Sequence, residues 1–181
     1  MGIINNFLSG IFGGNKTVDN LSSSQPFLDD NVIQPSLYSK CFASEESFYN
    51  SSREERMQAF QQLENDFAVK QGRAPRQIVF KDMSVDECGA YSSDTDKIYL
   101  NRNYLDDAYS RFDGMDTVIH EGRHAYQNDC ATGIVAADED LQRVNDGAKM
   151  SSLPGVYSSS CSDKLGYYLN PLELDANAYA C

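Results

Sequence analysis

The stretch Asp116-Thr-Val-Ile-His-Glu-Gly-Arg-His-Ala-Tyr-Gln127 contains the only two histidines of the 181-residue chain, in the spacing H-E-x-x-H. Residues four apart on an α-helix lie one above the other on the same face, so His120 and His124 can aim both imidazoles at one metal ion. Glu121 projects beside that face, where a carboxylate reaches a water molecule without occupying a coordination position. The stretch therefore predicts a helix that supplies two metal ligands and a general base.

The residues around this motif favour a helix whose histidine face is turned inward. Asp113 is the predicted cap of the helix. The apolar flanks are provided by Met115, Val118, Ile119, Ala125 and Tyr126. Gly122 is the one poor helix former, at a cost of about 1 kcal/mol relative to alanine. We expect its missing side chain to leave room for a neighbouring strand or for substrate.

A catalytic zinc site needs a third protein ligand and one position left open for water. Because no histidine remains, the candidates are cysteine, aspartate and glutamate. In the stretch 167–180, Asn170 is the predicted N-cap, Pro171 the first helical residue and Glu173 an acid in the first turn. Glu173 is the predicted third ligand. The alternative is that Asn170 and Glu173 form only a capping pair, in which the helix dipole stabilises the acid.

Asp175 competes with Glu173 for the role of third ligand. It lies two residues further along, on the other side of the same predicted helix, so the two carboxylates cannot both bind one ion. The other role expected for Asp175 is to anchor a histidine nitrogen or Arg123 from behind the site.

These residues together resemble a known family. With H-E-x-x-H and the later run Asn170-Pro-Leu-Glu-Leu-Asp-Ala176, the sequence resembles the zincin metallopeptidases of the gluzincin type, in particular the compact domains of bacterial secreted effectors and polymorphic toxins. The resemblance covers residues 75–181. It implies His120, His124 and Glu173 as zinc ligands and Glu121 as catalytic base. The candidates for a hydroxyl that stabilises the transition state are Tyr126, Tyr157, Tyr167, Tyr168 and Tyr179.

The resemblance implies an α+β, zincin-like fold. In it, a small antiparallel or mixed sheet packs on an active-site helix carrying H-E-x-x-H and on a second helix carrying the third ligand. The implied function is zinc-dependent hydrolysis of peptide bonds in a protein substrate, by an effector or toxin that is secreted or translocated into a target cell. A secretion chaperone or an immunity protein would be a further partner.

Two alternative functions stay open. The first is a metallo-endopeptidase or amidase that cleaves peptidoglycan, because the zinc chemistry would be the same. The second is a catalytically silent zinc-binding module. Glu121 argues against the silent module, because a purely structural zinc site has no use for an acid beside its ligands.

The segment before the histidines predicts strands. Gln77-Ile-Val-Phe80 is typical of a short buried strand, and residues 89–101 predict a hairpin that turns at Ser92-Ser-Asp-Thr-Asp96. In zincins a strand beside the active-site helix receives the substrate backbone as an additional strand, and residues 98–101 or their hairpin partner are the candidates here. The alternative is a plain structural hairpin.

A scaffold helix is predicted over residues 52–71. Ser52 and Glu55 have the spacing of a capping box, and Gly72 can end the helix. Its apolar stripe consists of Met57, Phe60, Leu63 and Phe67. A further short helix is predicted at 138–148 and a loop at 151–163.

Residues 1–44 are predicted to be a flexible leader, and residues 45–181 the zincin-like domain. Apolar residues recur at helical spacing over 1–12, whereas 13–31 is rich in glycine, serine, asparagine and aspartate, which favours disorder. The apolar run is too short to span a bilayer, and no basic residue precedes it, so we expect no stable membrane insertion. The leader is a candidate translocation or chaperone-recognition segment; the alternative is that it packs on the domain or hangs free.

Composition excludes some classes of partner. A net charge of −12 argues against binding of nucleic acid or of an anionic membrane, which require a basic surface. The five cysteines have no C-x-x-C spacing, so a second zinc site is not expected, and one or two disulfides stay open for an oxidising compartment. A Cys/His nucleophile pair is not expected, because no histidine stands apart from the metal motif.

Overall fold

The computed structural model describes residues 36–136 and 169–180. The described elements are five α-helices, a 3₁₀ turn at Arg102–Leu105 and three strands. In chain order they are α1 (Leu37–Cys41), α2 (Glu45–Asn50), α3 (Arg53–Lys70), β1 (Gln77–Lys81), β2 (Gly89–Ser92), β3 (Lys97–Asn101), α4 (Arg111–Ala131) and α5 (Pro171–Ala180). The predicted α+β class is confirmed. The predictions for 1–12, 138–148 and 151–163 lie outside the described residues.

Helix α3 begins and ends as its sequence predicts. Ser52 Oγ accepts from the backbone N–H of Glu55, and Glu55 Oε2 accepts from the backbone N–H of Ser52 at 2.7 Å, which completes the capping box. Gly72 follows the helix with a φ of 68°, in the left-handed region that glycine adopts without steric cost. In the predicted stripe, Phe60 and Leu63 are buried, whereas Met57 is exposed.

The three strands form a mixed sheet in the order β1-β3-β2. β1 runs parallel to β3, with Ile78 opposite Ile98, and β2 runs antiparallel to β3, with Tyr91 opposite Ile98. The predicted hairpin is therefore confirmed. β1 is also a strand, but of its residues only Ile78 is buried.

The position of β3 corrects one prediction. Residues 98–101 were expected to be able to receive a substrate strand, but β3 is the central strand and is hydrogen-bonded on both sides. A strand paired on both edges has no backbone donors left for a peptide. The hairpin partner β2 lies at an edge of this sheet, so that half of the prediction stands.

Helix α4 lies at the centre of the described fold and packs against α3, β2, β3 and α5. Its N-cap is Ser110, and no side chain caps it, so the prediction that Asp113 caps this helix is wrong: Asp113 already lies within the first turn. A Cβ atom on Gly114 would lie 2.9 Å from Cγ of Tyr104 and 3.0 Å from Cζ of Phe60. Glycine at this position thus lets the aromatic core approach the helix backbone.

The hydrophobic core lies between α3, α4 and the inner face of the sheet. It is built mainly from Phe42, Phe48, Phe60, Leu63, Ile98, Leu100, Leu105 and Val118. Phe42 and Cys41 are buried in it, and α1 packs on α3. The predicted leader boundary at residue 44 therefore falls inside the folded unit. Cys41 and Cys88 carry free thiols.

In the described ranges, no helix combines the length and the apolar character that a membrane crossing demands.

A buried ion pair lies beneath Gly122. Arg73 donates to both carboxylate oxygens of Glu64 at 2.5 and 2.9 Å, and both side chains are fully buried. A Cβ atom on Gly122 would lie 2.7 Å from Nη2 of Arg73 and 2.8 Å from Oε2 of Glu64. The space at Gly122 therefore accommodates this ion pair, and the expectation of a neighbouring strand or substrate there is wrong.

The substitution Gly122→Ala tests this packing. Helix propensity alone would make alanine about 1 kcal/mol more stable than glycine. The added methyl group must displace a buried ion pair, and overpacking of this kind costs about 1–3 kcal/mol. We expect a net loss of stability in urea unfolding, and a variant more stable than the parent would contradict the close approach.

Candidate metal centre

Helices α4 and α5 bring together the two imidazoles and one carboxylate. Nε2 of His120 lies 3.1 Å from Nε2 of His124. Oε2 of Glu173 lies 3.3 Å from Nε2 of His120, and Oε1 of Glu173 lies 3.4 Å from Nε2 of His124. Glu173 is buried, and both imidazoles are only slightly exposed. These three residues form a group that could hold a metal ion.

The three side chains lie close enough to share one ion. Ligands about 2.0–2.1 Å from a tetrahedral zinc ion lie about 3.3 Å from one another. The two imidazole nitrogens are 3.1 Å apart, and each of them lies 3.3 or 3.4 Å from a different carboxylate oxygen of Glu173. Two imidazoles and one carboxylate leave the fourth tetrahedral position for a non-protein ligand.

The start of α5 places Glu173. Asn170 Oδ1 accepts from the backbone N–H of Leu172 at 2.9 Å, so Asn170 caps the helix and Pro171 is its first residue, as predicted. Glu173 therefore lies in the first turn. Its carboxylate is directed at the imidazoles of α4, which supports the ligand interpretation over a capping pair.

The tautomer of His124 follows from its hydrogen bonds. Gln127 Nε2 donates to Asp175 Oδ2 at 2.7 Å and to the carbonyl oxygen of Leu172 at 3.1 Å. Both partners are acceptors, so the amide nitrogen must face them, and Oε1 faces Nδ1 of His124 at 2.8 Å. Nδ1 then carries the proton, and the lone pair of Nε2 points toward the carboxylate of Glu173.

Asp175 holds Arg123 in a two-pronged ion pair. Arg123 Nε and Nη2 donate to the Asp175 carboxylate at 2.7 and 2.9 Å. Burial acts to raise the pKa of Asp175, but the hydrogen bonds from Arg123 and Gln127 outweigh it and hold that pKa below its ordinary value. The guanidinium carbon of Arg123 also lies over the rings of Tyr126 and Tyr179, 4.7 and 4.6 Å from the ring centroids. Asp175 thus takes the anchoring role expected as its alternative, and is not part of the group around the imidazoles.

Two of the five candidate tyrosines are therefore placed against Arg123, and Tyr157, Tyr167 and Tyr168 lie outside the described residues.

Sequence reasoning missed Gln127. The signal was present, because Gln127 is three residues after His124 and seven after His120, on the same helical stripe.

Glu121 is buried beside the edge strand. Its Oε2 accepts from the backbone N–H of Tyr91 at 2.6 Å. The close approach is possible because β2 has a glycine there: a Cβ on Gly89 would lie 2.7 Å from Cγ2 of Thr117 and 3.6 Å from Cγ of Glu121. Burial raises the pKa of Glu121, and the charges of His124 and His120 and the Tyr91 N–H oppose that rise.

The pKa of His124 reflects the acids around it. Burial acts to lower this pKa, but the hydrogen bond to Glu173 and the charges of Glu121 and Glu173 raise it above its ordinary value. The same acids that favour a proton on the imidazole favour a cation between the three side chains. A metal ion and a proton would therefore compete for this position.

Comparisons with models of protein families, with curated proteins and with solved structures give no match for this chain. The geometry of the site is therefore the main evidence for what it does.

Replacement of Gln127 tests the support of His124. Gln127→Leu removes the acceptor at Nδ1 and frees the imidazole to rotate, and changes of this kind weaken metal affinity by about 10–100-fold. Competition with a chromogenic chelator measures the zinc Kd. Gln58→Leu, the same change at an exposed position on α3, is the matched control and should leave the Kd unchanged. Equal zinc affinity in the Gln127 variant and in the parent would contradict the support of His124 by Gln127.

Proposed function

We propose that this chain is a zinc-dependent metallopeptidase with a zincin-like arrangement, which hydrolyses peptide bonds of a protein substrate. The observation that carries the proposal is the convergence of two imidazoles, His120 and His124, with the carboxylate of Glu173: the nitrogens are 3.1 Å apart, and a carboxylate oxygen lies 3.3 or 3.4 Å from each. Beside them lies Glu121, an acid that is not part of this group.

The donor set favours zinc. Two imidazoles and one carboxylate are the ligands of catalytic zinc sites that keep one position open. The same donor set binds non-haem iron(II), so the metal content of the purified protein distinguishes the two ions.

When bound, zinc supplies Lewis acidity, which polarises the carbonyl of the scissile bond and lowers the pKa of water toward about 7. Glu121 is the proposed general base: its carboxylate takes the proton of the attacking water and passes it to the nitrogen of the leaving amine. Burial raises the pKa of Glu121 toward neutral pH. A carboxyl group whose pKa is raised in this way can both accept a proton and return it. Gln127 orients His124, so that its unprotonated nitrogen would be available to hold the ion.

The edge strand β2 is the proposed place of the substrate backbone. It lies against α4, beside Glu121, and is paired with β3 on one side. On its other side the N–H of Tyr91 is already donated to Glu121, so a peptide would pair with the main-chain groups of β2 that Glu121 leaves open. A peptide added along such an edge is bound mainly through its main chain, with little demand on its sequence. The net charge of −12 favours neutral or basic substrates. Secretion or translocation into a target cell, with a chaperone or an immunity protein as partner, is proposed from the sequence resemblance alone.

Two substitutions separate metal binding from chemistry. Glu121→Gln preserves size and removes the base, so we expect stoichiometric zinc and a fall in kcat of about 10²–10⁴-fold. His124→Ala removes a ligand, and we expect it to lose both zinc and activity. Metal content is measured by elemental analysis, and cleavage by sequencing new N-termini in a protein lysate.

The control for Glu121→Gln is Glu54→Gln, the same change at an exposed position on α3. An active Glu121→Gln protein would refute the assigned base. A parent protein that takes up no zinc would refute the metal site. Cleavage of purified cell wall with no new N-termini in the lysate would favour the peptidoglycan alternative, and zinc without cleavage of either would favour the silent module.

A further inference from the structure

Tyr91 joins the edge strand to α4 at two points. Its backbone N–H donates to Oε2 of Glu121 at 2.6 Å. Its hydroxyl donates to Oδ1 of Asp96 at 3.0 Å and accepts from Nδ2 of Asn128 at 3.2 Å. Glu121 and Asn128 are seven residues apart, about two helical turns. One residue of β2 thus contacts α4 through both its main chain and its side chain.

Arg76 holds Asp96, one of the two partners of this hydroxyl, in place. It is buried just before β1 and donates from Nε to Oδ1 of Asp96 and from Nη2 to Oδ1 of Asp129, both at 2.5 Å. Its Nη1 donates to the carbonyl oxygen of Ala74 at 2.7 Å. Arg76 therefore ties the hairpin turn, where Asp96 has a φ of 53°, to the end of α4.

The hydroxyl of Tyr91 is the donor in its contact with Asp96. Burial and the neighbouring Asp96 raise the pKa of the phenol, so the proton stays on the oxygen. The lone pairs of the same oxygen then accept from Asn128. In each of these three hydrogen bonds of Tyr91, a donor faces an acceptor.

The amide of Tyr91 needs this support because of where it lies. It points away from β3, since its hydrogen is donated to Glu121, and β2 is a four-residue strand at an edge of the sheet. Short edge segments open at a small cost in free energy unless side chains hold them. A general base must keep its orientation closely, since a displacement of 1 Å can reduce the rate by about 10²-fold.

We propose that Tyr91 is a positioning residue for Glu121: its phenol, held by Asn128 and by Asp96, keeps the peptide N–H of Tyr91 against the Glu121 carboxylate. Arg76 in turn holds Asp96. Tyr91, Asp96, Asn128 and Arg76 are together called the Tyr91 clamp. Its effect on catalysis rests on the proposed peptidase function, whereas its effect on the amide of residue 91 does not.

The first measurement is hydrogen exchange at the amide of residue 91, by NMR on the zinc-loaded protein. Tyr91→Phe keeps this amide and removes only the hydroxyl. We expect its exchange to accelerate at least about tenfold, with the amides of Ile98 and Leu100 unchanged. Tyr99→Phe is the matched control: it removes a hydroxyl from the partner strand that contacts Thr95 in the same turn, at 3.0 Å. Exchange within twofold of the parent in Tyr91→Phe, or an equal acceleration in Tyr99→Phe, would overturn the clamp.

The second measurement is steady-state kinetics on a cleaved peptide. Tyr91→Phe should reduce kcat about tenfold, leave KM within twofold and leave zinc content unchanged, because only the orientation of the base is altered. Arg76→Lys keeps the positive charge, but a lysine ammonium cannot bind two carboxylates as the planar guanidinium does. Its kcat should therefore also fall. An unchanged kcat in Tyr91→Phe, with faster amide exchange, would overturn the positioning role. A parent without peptidase activity would refute the proposed function, and amide exchange would still decide the clamp.

Discussion

The approach of the Glu173 carboxylate to the two imidazoles is the contact on which the site depends. It joins α5 to α4 across a sequence separation of about fifty residues, and two polar links beside it hold the helices in register: Arg123 to Asp175, and Gln127 to the carbonyl of Leu172. These links provide hydrogen-bond partners for side-chain atoms outside the group formed by His120, His124 and Glu173. The two imidazoles and the carboxylate are therefore held together by protein contacts, in a group that could hold a cation.

The other side of α4 is fixed by buried charge. Glu64 and Arg73 lie under Gly122, and Arg76 reaches Asp129 near the end of the helix. Burying such pairs costs desolvation energy, so their contribution to stability is small, but a helix displaced from them would leave charges unpaired in the interior. Together with the contacts of α5, they confine α4 from both sides. A helix that carries the two proposed ligands and the proposed base on adjacent faces requires this confinement, because rotation about its axis would move all three together.

Glu121 belongs to a different set of contacts from His120, His124 and Glu173. Its partner is the amide of Tyr91 on β2, so the proposed base is oriented by the sheet, whereas the proposed ligands are oriented by helix packing. The proposed place of the substrate backbone is the same strand, at the main-chain groups that Glu121 leaves open. Contact of base and substrate with one strand would keep the distance between them independent of small shifts of α5. The close contact of Gly89 with Thr117 is what allows β2 to lie so near the helix.

The sequence by itself determined the features that depend on near neighbours in the chain. These are the ligand spacing of His120 and His124, the capping box of α3, the start of α5 at Pro171 and the hairpin of β2 and β3, because each is set by dihedral preferences and hydrogen bonds within a few residues. Only the tertiary structure decided which strand is central, what fills the space at Gly122, and which groups hold Glu121 and His124. Those outcomes depend on backbone amides and buried ion pairs from distant segments, whose partners follow from packing and have no local pattern.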